Sequence, residues 1–187
     1  TGRHHILVDV GTSTLSALKA LGLTPRDITH VAITHMHEDH VGGLLAYFEW
    51  CKTNKHPIRL VMEPGIYEYL KEQAKQVLGK ELDGVYAIEF IPLKFYEGLK
   101  LGDDEQGVYV EAIPAFHGTP TTMLRVTYKG ATISHSSDTT FDPLRFKAIA
   151  LREDLKALRL CFTNLSADNP IHEVLGLEAT VLPLETI

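Results

Sequence analysis

The sequence has 187 residues, of which 44% are hydrophobic and 22% are charged. This balance fits one domain with a buried core and excludes a disordered polar chain. Lys and Arg total 18 against 24 Asp and Glu, a formal net charge of −6, so we expect no strong binding to nucleic acid. The ten histidines are the unusual count, because His is the commonest metal-binding side chain.

The first half of the chain alternates apolar, strand-like runs with helical patterns that start and stop at capping residues. In chain order the sequence predicts a strand at 5–10, a helix ending at Gly22, a strand at 28–34, a histidine-rich loop at 35–40, a helix at 44–52, a strand at 58–62 and a helix at 64–78.

The second half consists mainly of short strand-like runs separated by Gly, Pro and charged pairs. These runs cover 87–93, 98–101, 108–114, 123–128 and 131–135. Asp142-Pro143 is a helix start signal, so a helix is predicted over 141–158, with a last short strand at 160–162. Helix-linked strands followed by hairpin-like strands favour an α+β or layered α/β/β/α arrangement, and we expect residues 1–187 to form a single domain.

The most informative stretch reads His-Met-His-Glu-Asp-His over residues 35–40. His35 and His37 alternate as in an extended segment, so both side chains can face one point. Asp39 and His40 follow as the chain turns into a helix, and they can face a second point nearby. Three imidazoles and a carboxylate within six positions suit zinc or another borderline metal such as iron or manganese.

Two later residues are expected to complete the coordination, because four side chains cannot fill two metal sites. His117 and Asp138 each stand at the end of a strand-like run, and the first motif makes both candidate ligands. The remaining histidines before Asp138 are predicted to be structural: His4, His5, His30, His56 and His135.

At four places the sequence resembles the metallo-β-lactamase superfamily of metallohydrolases. They are Leu7-Val8-Asp9-Val10-Gly11, the 35–40 loop, His117-Gly118 and Ser137-Asp138-Thr139. The resemblance implies an α/β fold, a four-layer αββα sandwich, with two divalent metal ions at one edge of the sheets. Zinc is the first expectation, with manganese or iron as alternatives.

The resemblance also implies a role for each candidate. Asp9 would steady the histidine loop. The first metal ion would be held by His35, His37 and His117, the second by Asp39 and His40, and both would be bridged by Asp138.

The phosphodiesterase-like branch, which includes ribonuclease Z, is the part of the family that the sequence resembles most. The turn at 136–139 and the pair His172-Glu173 carry this resemblance. Only the 20 residues 118–137 separate His117 from Asp138, so the tRNA-binding arm of ribonuclease Z is expected to be missing. True β-lactamases of the common dizinc type place a cysteine where Asp138 stands, so antibiotic hydrolysis is not expected.

The last ligand of the second metal is a departure from the family pattern. The family normally supplies one more His near the end of the domain, and His172 is the only His after Asp138. Three explanations stay open: a chain truncated before the ligand, a position filled by a partner or water, or His172 itself as the ligand. Partial occupancy of the second site is accordingly expected. The family usually begins with a strand or hairpin before the one that ends in Asp9, so the fold is expected to be incomplete at both termini.

Metal-assisted hydrolysis is the resulting functional hypothesis. Two cations lower the pKa of a shared water, so that hydroxide is available near neutral pH to attack a phosphodiester. Asp39 would orient this nucleophile, and His172 would protonate the leaving oxygen unless it is a surface or helix-capping residue. The alternatives are a lactonase or thioesterase with the same dinuclear site, a diiron redox module, and a non-catalytic metal-bound scaffold.

The expected partners are a small-molecule substrate and, for the assembly, either a monomer or a homodimer. No apolar run reaches the roughly 18–20 residues of a membrane span, so no membrane contact and a cytoplasmic location are expected.

Overall fold

A computed structural model describes residues 4–102, 107–140, 142, 144, 145, 147 and 153–162 of the chain. The described elements form two β-sheets with helices against one of them. In chain order they are β1 (Ile6–Val8), α1 (Thr14–Ala20), a 3-10 turn (Pro25–Asp27), β2 (His30–Ala32), α2 (Glu38–Val41), α3 (Leu44–Thr53), β3 (Ile58–Met62), α4 (Pro64–Leu78), α5 (Leu82–Val85), β4 (Ile88–Pro92), β5 (Gly98–Leu101), β6 (Val108–Pro114), β7 (Thr122–Tyr128), β8 (Ala131–Thr139) and β9 (Leu155–Phe162).

The first sheet is parallel, with the strand order β1-β2-β3-β4. Successive side chains of a strand point to opposite sides of the sheet. Both sides of this sheet carry apolar side chains, because each is covered by another layer. In β3, Leu60 and Met62 belong to the core that α1, α3 and α4 cover. Val61, between them, belongs to a second core on the other face of the sheet.

The second sheet has the order β5-β6-β7-β8-β9 and packs against that other face. Strands β5 to β8 are antiparallel, and β9 is parallel to β8. Ala32 and Val61 of the first sheet share a buried cluster with Val110, Ala112 and Leu124 of the second. The inward-facing side chains of the two sheets therefore form a common core.

The predicted α/β class with helix-linked strands first and hairpins second is confirmed. The predicted helices at 44–52 and 64–78 match α3 and α4 closely, and α4 ends at Gly79, whose φ of 65° is a left-handed cap. The described residues establish a helix layer and two sheet layers of the sandwich. A fourth, outer helix layer is not established by them.

The helix predicted over 141–158 is wrong in its C-terminal part. Leu144, Arg145 and Lys147 are helical, but β9 begins at Leu155 and pairs with β8. The segment is rich in Leu, Lys and Arg, which favour helices in isolation. Pairing with the edge of the second sheet overrides this preference, because intrinsic helix propensity is weak compared with tertiary context.

The fold brings the candidate residues to one edge of the sandwich. The 35–40 loop follows β2, His117 follows β6, and Asp138 lies near the end of β8. The two sheets are joined at this edge, where the Thr122 N–H donates a 2.9 Å hydrogen bond to the Thr34 carbonyl oxygen. Among the described residues, no helix combines the length and apolar character of a membrane span.

Candidate metal centre

The histidine loop is held in place by the turn that follows β1. Val10 N–H donates to the His40 carbonyl at 2.6 Å, and Gly43 N–H donates to the Val10 carbonyl at 2.8 Å. A Cβ on Gly11 would lie 2.3 Å from the Asp39 carbonyl oxygen. Only glycine permits this approach, so the turn sets the position of the loop through direct backbone contact.

One group of convergent donors contains His35, His37, His117 and Asp138. Nε2 of His35 lies 3.2 Å from Nδ1 of His37, and Nε2 of His117 lies 3.0 Å from that same Nδ1. One ligand atom from each of the four residues falls within 4.8 Å of the others. His35 is fully buried, so the group opens to solvent on the side of the other residues.

The other group contains Asp39, His40 and Asp138. Nε2 of His40 lies 3.5 Å from Oδ2 of Asp39 and 3.5 Å from Oδ1 of Asp138. The other carboxylate oxygen of Asp138, Oδ2, lies 4.0 Å from Nε2 of His117 in the first group. Asp138 therefore presents one oxygen to each group.

This arrangement fits divalent metal ions. His37 Nδ1 faces two ring nitrogens at once, and one nitrogen can make a full hydrogen bond with only one of them because it carries either one proton or one lone pair. Nitrogen ligands of a tetrahedral zinc ion, with bonds of about 2.0–2.1 Å, lie roughly 3.3 Å apart. The observed spacings are close to that value, so a cation would satisfy all three nitrogens together.

Electrostatics differ between the two groups. Burial, followed by the nearby charge of His40, lowers the pKa of His35 to about 4, and burial also lowers the pKa of His117. Both imidazoles are therefore neutral at neutral pH, which is the form that binds a metal ion. The hydrogen bond that His40 donates to Asp9 raises the pKa of His40, which makes this ring more basic than His35 and His117.

Asp9 stands behind both groups as the acceptor of three hydrogen bonds. Its Oδ1 accepts from Thr34 N–H at 2.8 Å, and its Oδ2 accepts from the Thr34 hydroxyl at 2.9 Å and from His40 Nδ1–H at 2.7 Å. Asp9 adopts φ 61°, a left-handed conformation that Asp tolerates better than most residues. These contacts agree with the steadying role that the resemblance implies.

All six residues predicted as ligands lie in these two groups; their binding of metal stays a prediction. His172 lies outside the described residues, so its predicted role as an acid or as the last ligand stays a prediction. Within the part of the chain that the structure describes, neither group contains any of the five histidines predicted to be structural. Three of them bond to backbone: His5 Nδ1 donates to the Asp27 carbonyl, His56 Nε2 donates to the Ile28 carbonyl, and His135 Nδ1 accepts from Ser137 N–H.

Two buried hydroxyl residues next to the ligands were not found from the sequence. Thr34 and Ser137 are both fully buried, and both hydroxyls lie near Nδ1 of His35, at 3.1 Å and 3.4 Å. Ser137 has φ 52°, a strained conformation beside Asp138. The only sequence signal was their position immediately before His35 and Asp138.

The segment between His117 and Asp138 is compact. After a short loop it consists of β7 and β8, joined by a tight turn at Lys129-Gly130. The expectation that this segment carries no long arm agrees with these residues, all of which the structure describes.

Comparison with known proteins supports a family assignment. A sequence model of the metallo-beta-lactamase superfamily matches residues 1–168. The chain is 29% identical over 131 residues to a ribonuclease Z of Thermobifida fusca, covering 66% of this chain and 38% of that protein. It is 30% identical over 183 residues to the cGMP-dependent 3',5'-cGMP phosphodiesterase A of Dictyostelium discoideum, covering 97% of this chain and 20% of that protein.

Among solved structures, the short form of human tRNase Z superposes with a TM-score of 0.59 at 18% identity. The superposition covers 87% of this chain and 86% of that chain, and it supports the fold. The chain spans well under two thirds of the length of the two sequence relatives.

Proposed function

The chain belongs to the metallo-β-lactamase superfamily, and we propose that it is a metal-dependent hydrolase that cleaves a phosphodiester. The observation that carries this proposal is the placement of Asp138, whose two carboxylate oxygens face two different donor groups. Two relatives named as a ribonuclease and a 3',5'-cGMP phosphodiesterase favour a phosphodiester over a lactone or a thioester.

In this proposal each group holds one ion. Two divalent ions bound there would supply Lewis acidity and lower the pKa of water to near neutrality. His35, His37 and His117 would hold the first ion, while Asp39 and His40 would hold the second.

The two sides of the site differ in their access to water. The side chain of Asp39 is 75% exposed, so its carboxylate oxygens can accept a hydrogen bond from a water that enters from solvent. Asp39 can in this way orient the nucleophile. Thr34 and Ser137 are fully buried next to His35, so the rear of the site is closed to solvent.

The test compares hydrolysis of bis(p-nitrophenyl) phosphate with that of a simple lactone by the zinc-loaded protein. We expect turnover of the phosphodiester and its loss on chelation of the metal. His37→Ala, which removes a nitrogen shared by two close contacts, should lower activity by more than the 10- to 100-fold that residues behind a metal site typically contribute. His56→Ala is the matched control, because His56 lies outside both groups.

Three results would contradict the proposal. Phosphodiester hydrolysis that survives metal removal would exclude a metal-dependent mechanism. Faster turnover of the lactone would indicate the carboxylic-ester alternative. Full metal loading without hydrolysis of either substrate would indicate a non-catalytic scaffold.

A further inference from the structure

Thr34 immediately precedes the first histidine of the loop, and its side chain is fully buried. Its hydroxyl has two polar neighbours: Oδ2 of Asp9 at 2.9 Å and Nδ1 of His35 at 3.1 Å. A hydroxyl carries one proton and can accept through its oxygen. The identity of the neighbours decides which bond uses the proton.

The hydroxyl proton goes to the Asp9 carboxylate, because an ionised carboxylate can only accept. The Thr34 oxygen is then free to accept a hydrogen bond from His35, which requires the proton of that ring to sit on Nδ1. The neutral ring consequently keeps its lone pair on Nε2, the atom that lies 3.2 Å from Nδ1 of His37. Thr34 thus selects the tautomer of His35 whose Nε2 lone pair faces the other ligands of the first group.

The same carboxylate oxygen also positions the second group. Oδ2 of Asp9 accepts from Nδ1 of His40 at 2.7 Å, which leaves Nε2 of His40 directed at Asp39 and Asp138. A single oxygen of Asp9 is therefore linked to one histidine of each group, directly to His40 and through the Thr34 hydroxyl to His35.

We infer that Thr34 is a positioning residue whose hydroxyl relays the Asp9 carboxylate to His35 and so couples the orientation of the two donor groups. Partners behind the ligands fix the ring orientation of metal-binding histidines and raise their basicity. The inference requires that the site binds metal, but it does not depend on which ester is cleaved.

Ser137 is the rival partner for His35. Its hydroxyl is 3.4 Å from the same Nδ1, at the outer limit of a useful hydrogen bond, whereas Thr34 is at 3.1 Å. Thr34 is also fixed by a second bond, from its backbone N–H to Oδ1 of Asp9 at 2.8 Å. Both considerations favour Thr34.

The experiment measures zinc binding by calorimetry and the ring protons of the zinc-loaded protein by NMR. Thr34→Val removes the hydroxyl with little change in shape, Thr34→Ser keeps it, and Ser137→Ala tests the rival. In the parent protein we expect a slowly exchanging proton on Nδ1 of His35. Thr34→Val should lower the affinity for the more tightly bound zinc ion by 10- to 100-fold, as the loss of other partners behind metal ligands does. Thr34→Ser and Ser137→Ala should bind zinc with nearly the affinity of the parent.

The relay also predicts a shift of the Nδ1 proton signal of His40 in Thr34→Val, because Asp9 loses one of the two donors on the shared oxygen. The inference is overturned if the parent carries the His35 proton on Nε2. It is also overturned if Thr34→Val binds zinc as the parent does, or if Ser137→Ala alone carries the loss. Failure to cleave phosphodiesters with normal zinc binding would overturn the proposed function only, and a parent protein that binds no zinc would overturn both.

Discussion

Asp9→Asn is the substitution that tests most directly how the site is held together. Asn has nearly the shape of Asp and, like it, tolerates the left-handed φ of 61° found at this position. The substitution removes the charge and converts one of the two acceptor oxygens into a donor. The backbone of the turn should therefore survive, while at least one of the hydrogen bonds behind the ligands is lost.

The size of the effect follows from the three bonds to Asp9. Oδ1 accepts one and Oδ2 accepts two, at 2.7–2.9 Å, and the amide nitrogen of Asn must face at least one of these donors. A hydrogen bond to a charged group contributes about 1.5–3 kcal/mol, and a buried unsatisfied donor costs about 1–3 kcal/mol. We expect the free energy of unfolding of the metal-free protein to fall by about 3 kcal/mol, or roughly 6–12 °C in melting temperature.

Thermal unfolding of the metal-free protein, followed by circular dichroism, measures this loss. Asp27→Asn is the matched control, because Asp27 also accepts two bonds from one threonine, Thr24, but at an exposed site. We expect a clearly smaller fall in melting temperature there, because water can replace the hydrogen bonds that an exposed side chain loses. The hydrogen bond that His40 donates to Asp9 raises the pKa of His40, so an NMR titration of Asp9→Asn should show this pKa lower than in the parent. A variant that melts with the parent and leaves the pKa of His40 unchanged would refute the reasoning.

Two further predictions concern the backbone contact and the response to acid. Gly11→Ala places a Cβ 2.3 Å from the Asp39 carbonyl oxygen, so it should displace the histidine loop and weaken zinc binding in a calorimetric titration. Gly84→Ala is the control, because a Cβ there meets nothing within 4 Å, and it should bind zinc like the parent. Burial, with a smaller contribution from Arg59, lowers the pKa of His30 below its ordinary value near 6.5, so the unfolded chain binds this proton more readily than the folded one. The contribution of neutral His30 to the free energy of unfolding is complete above about pH 6.5 and is lost as the pH falls through the lowered pKa. The melting temperature of the metal-free parent should therefore fall more between pH 7 and pH 5 than that of His30→Gln. Equal falls in melting temperature for the two proteins would contradict this prediction.

Several features of the fold and the site could be predicted from local sequence. The 35–40 motif identified four candidate ligands because its spacing is short enough for the backbone to set their relative directions. The helix from Pro64 to Leu78 was equally predictable, since Pro at its first position is a local start signal and Gly79 after its last residue is a local stop signal. The segment at 155–162 was not, because its helical composition is overridden by pairing with β8.

The sequence by itself determined the kinds of donor atoms, the grouping of His35 and His37, and the family to which the chain belongs. Only the tertiary structure decided how these atoms are shared. It brought His117 within 3.0 Å of a ring 80 positions earlier, turned the two oxygens of Asp138 toward different groups, and linked both groups to Asp9. These relations join segments that are distant along the chain. The pairing of β1 with β2 brings Asp9 beside the histidine loop, and the packing of the second sheet against the first brings His117 and Asp138 to it.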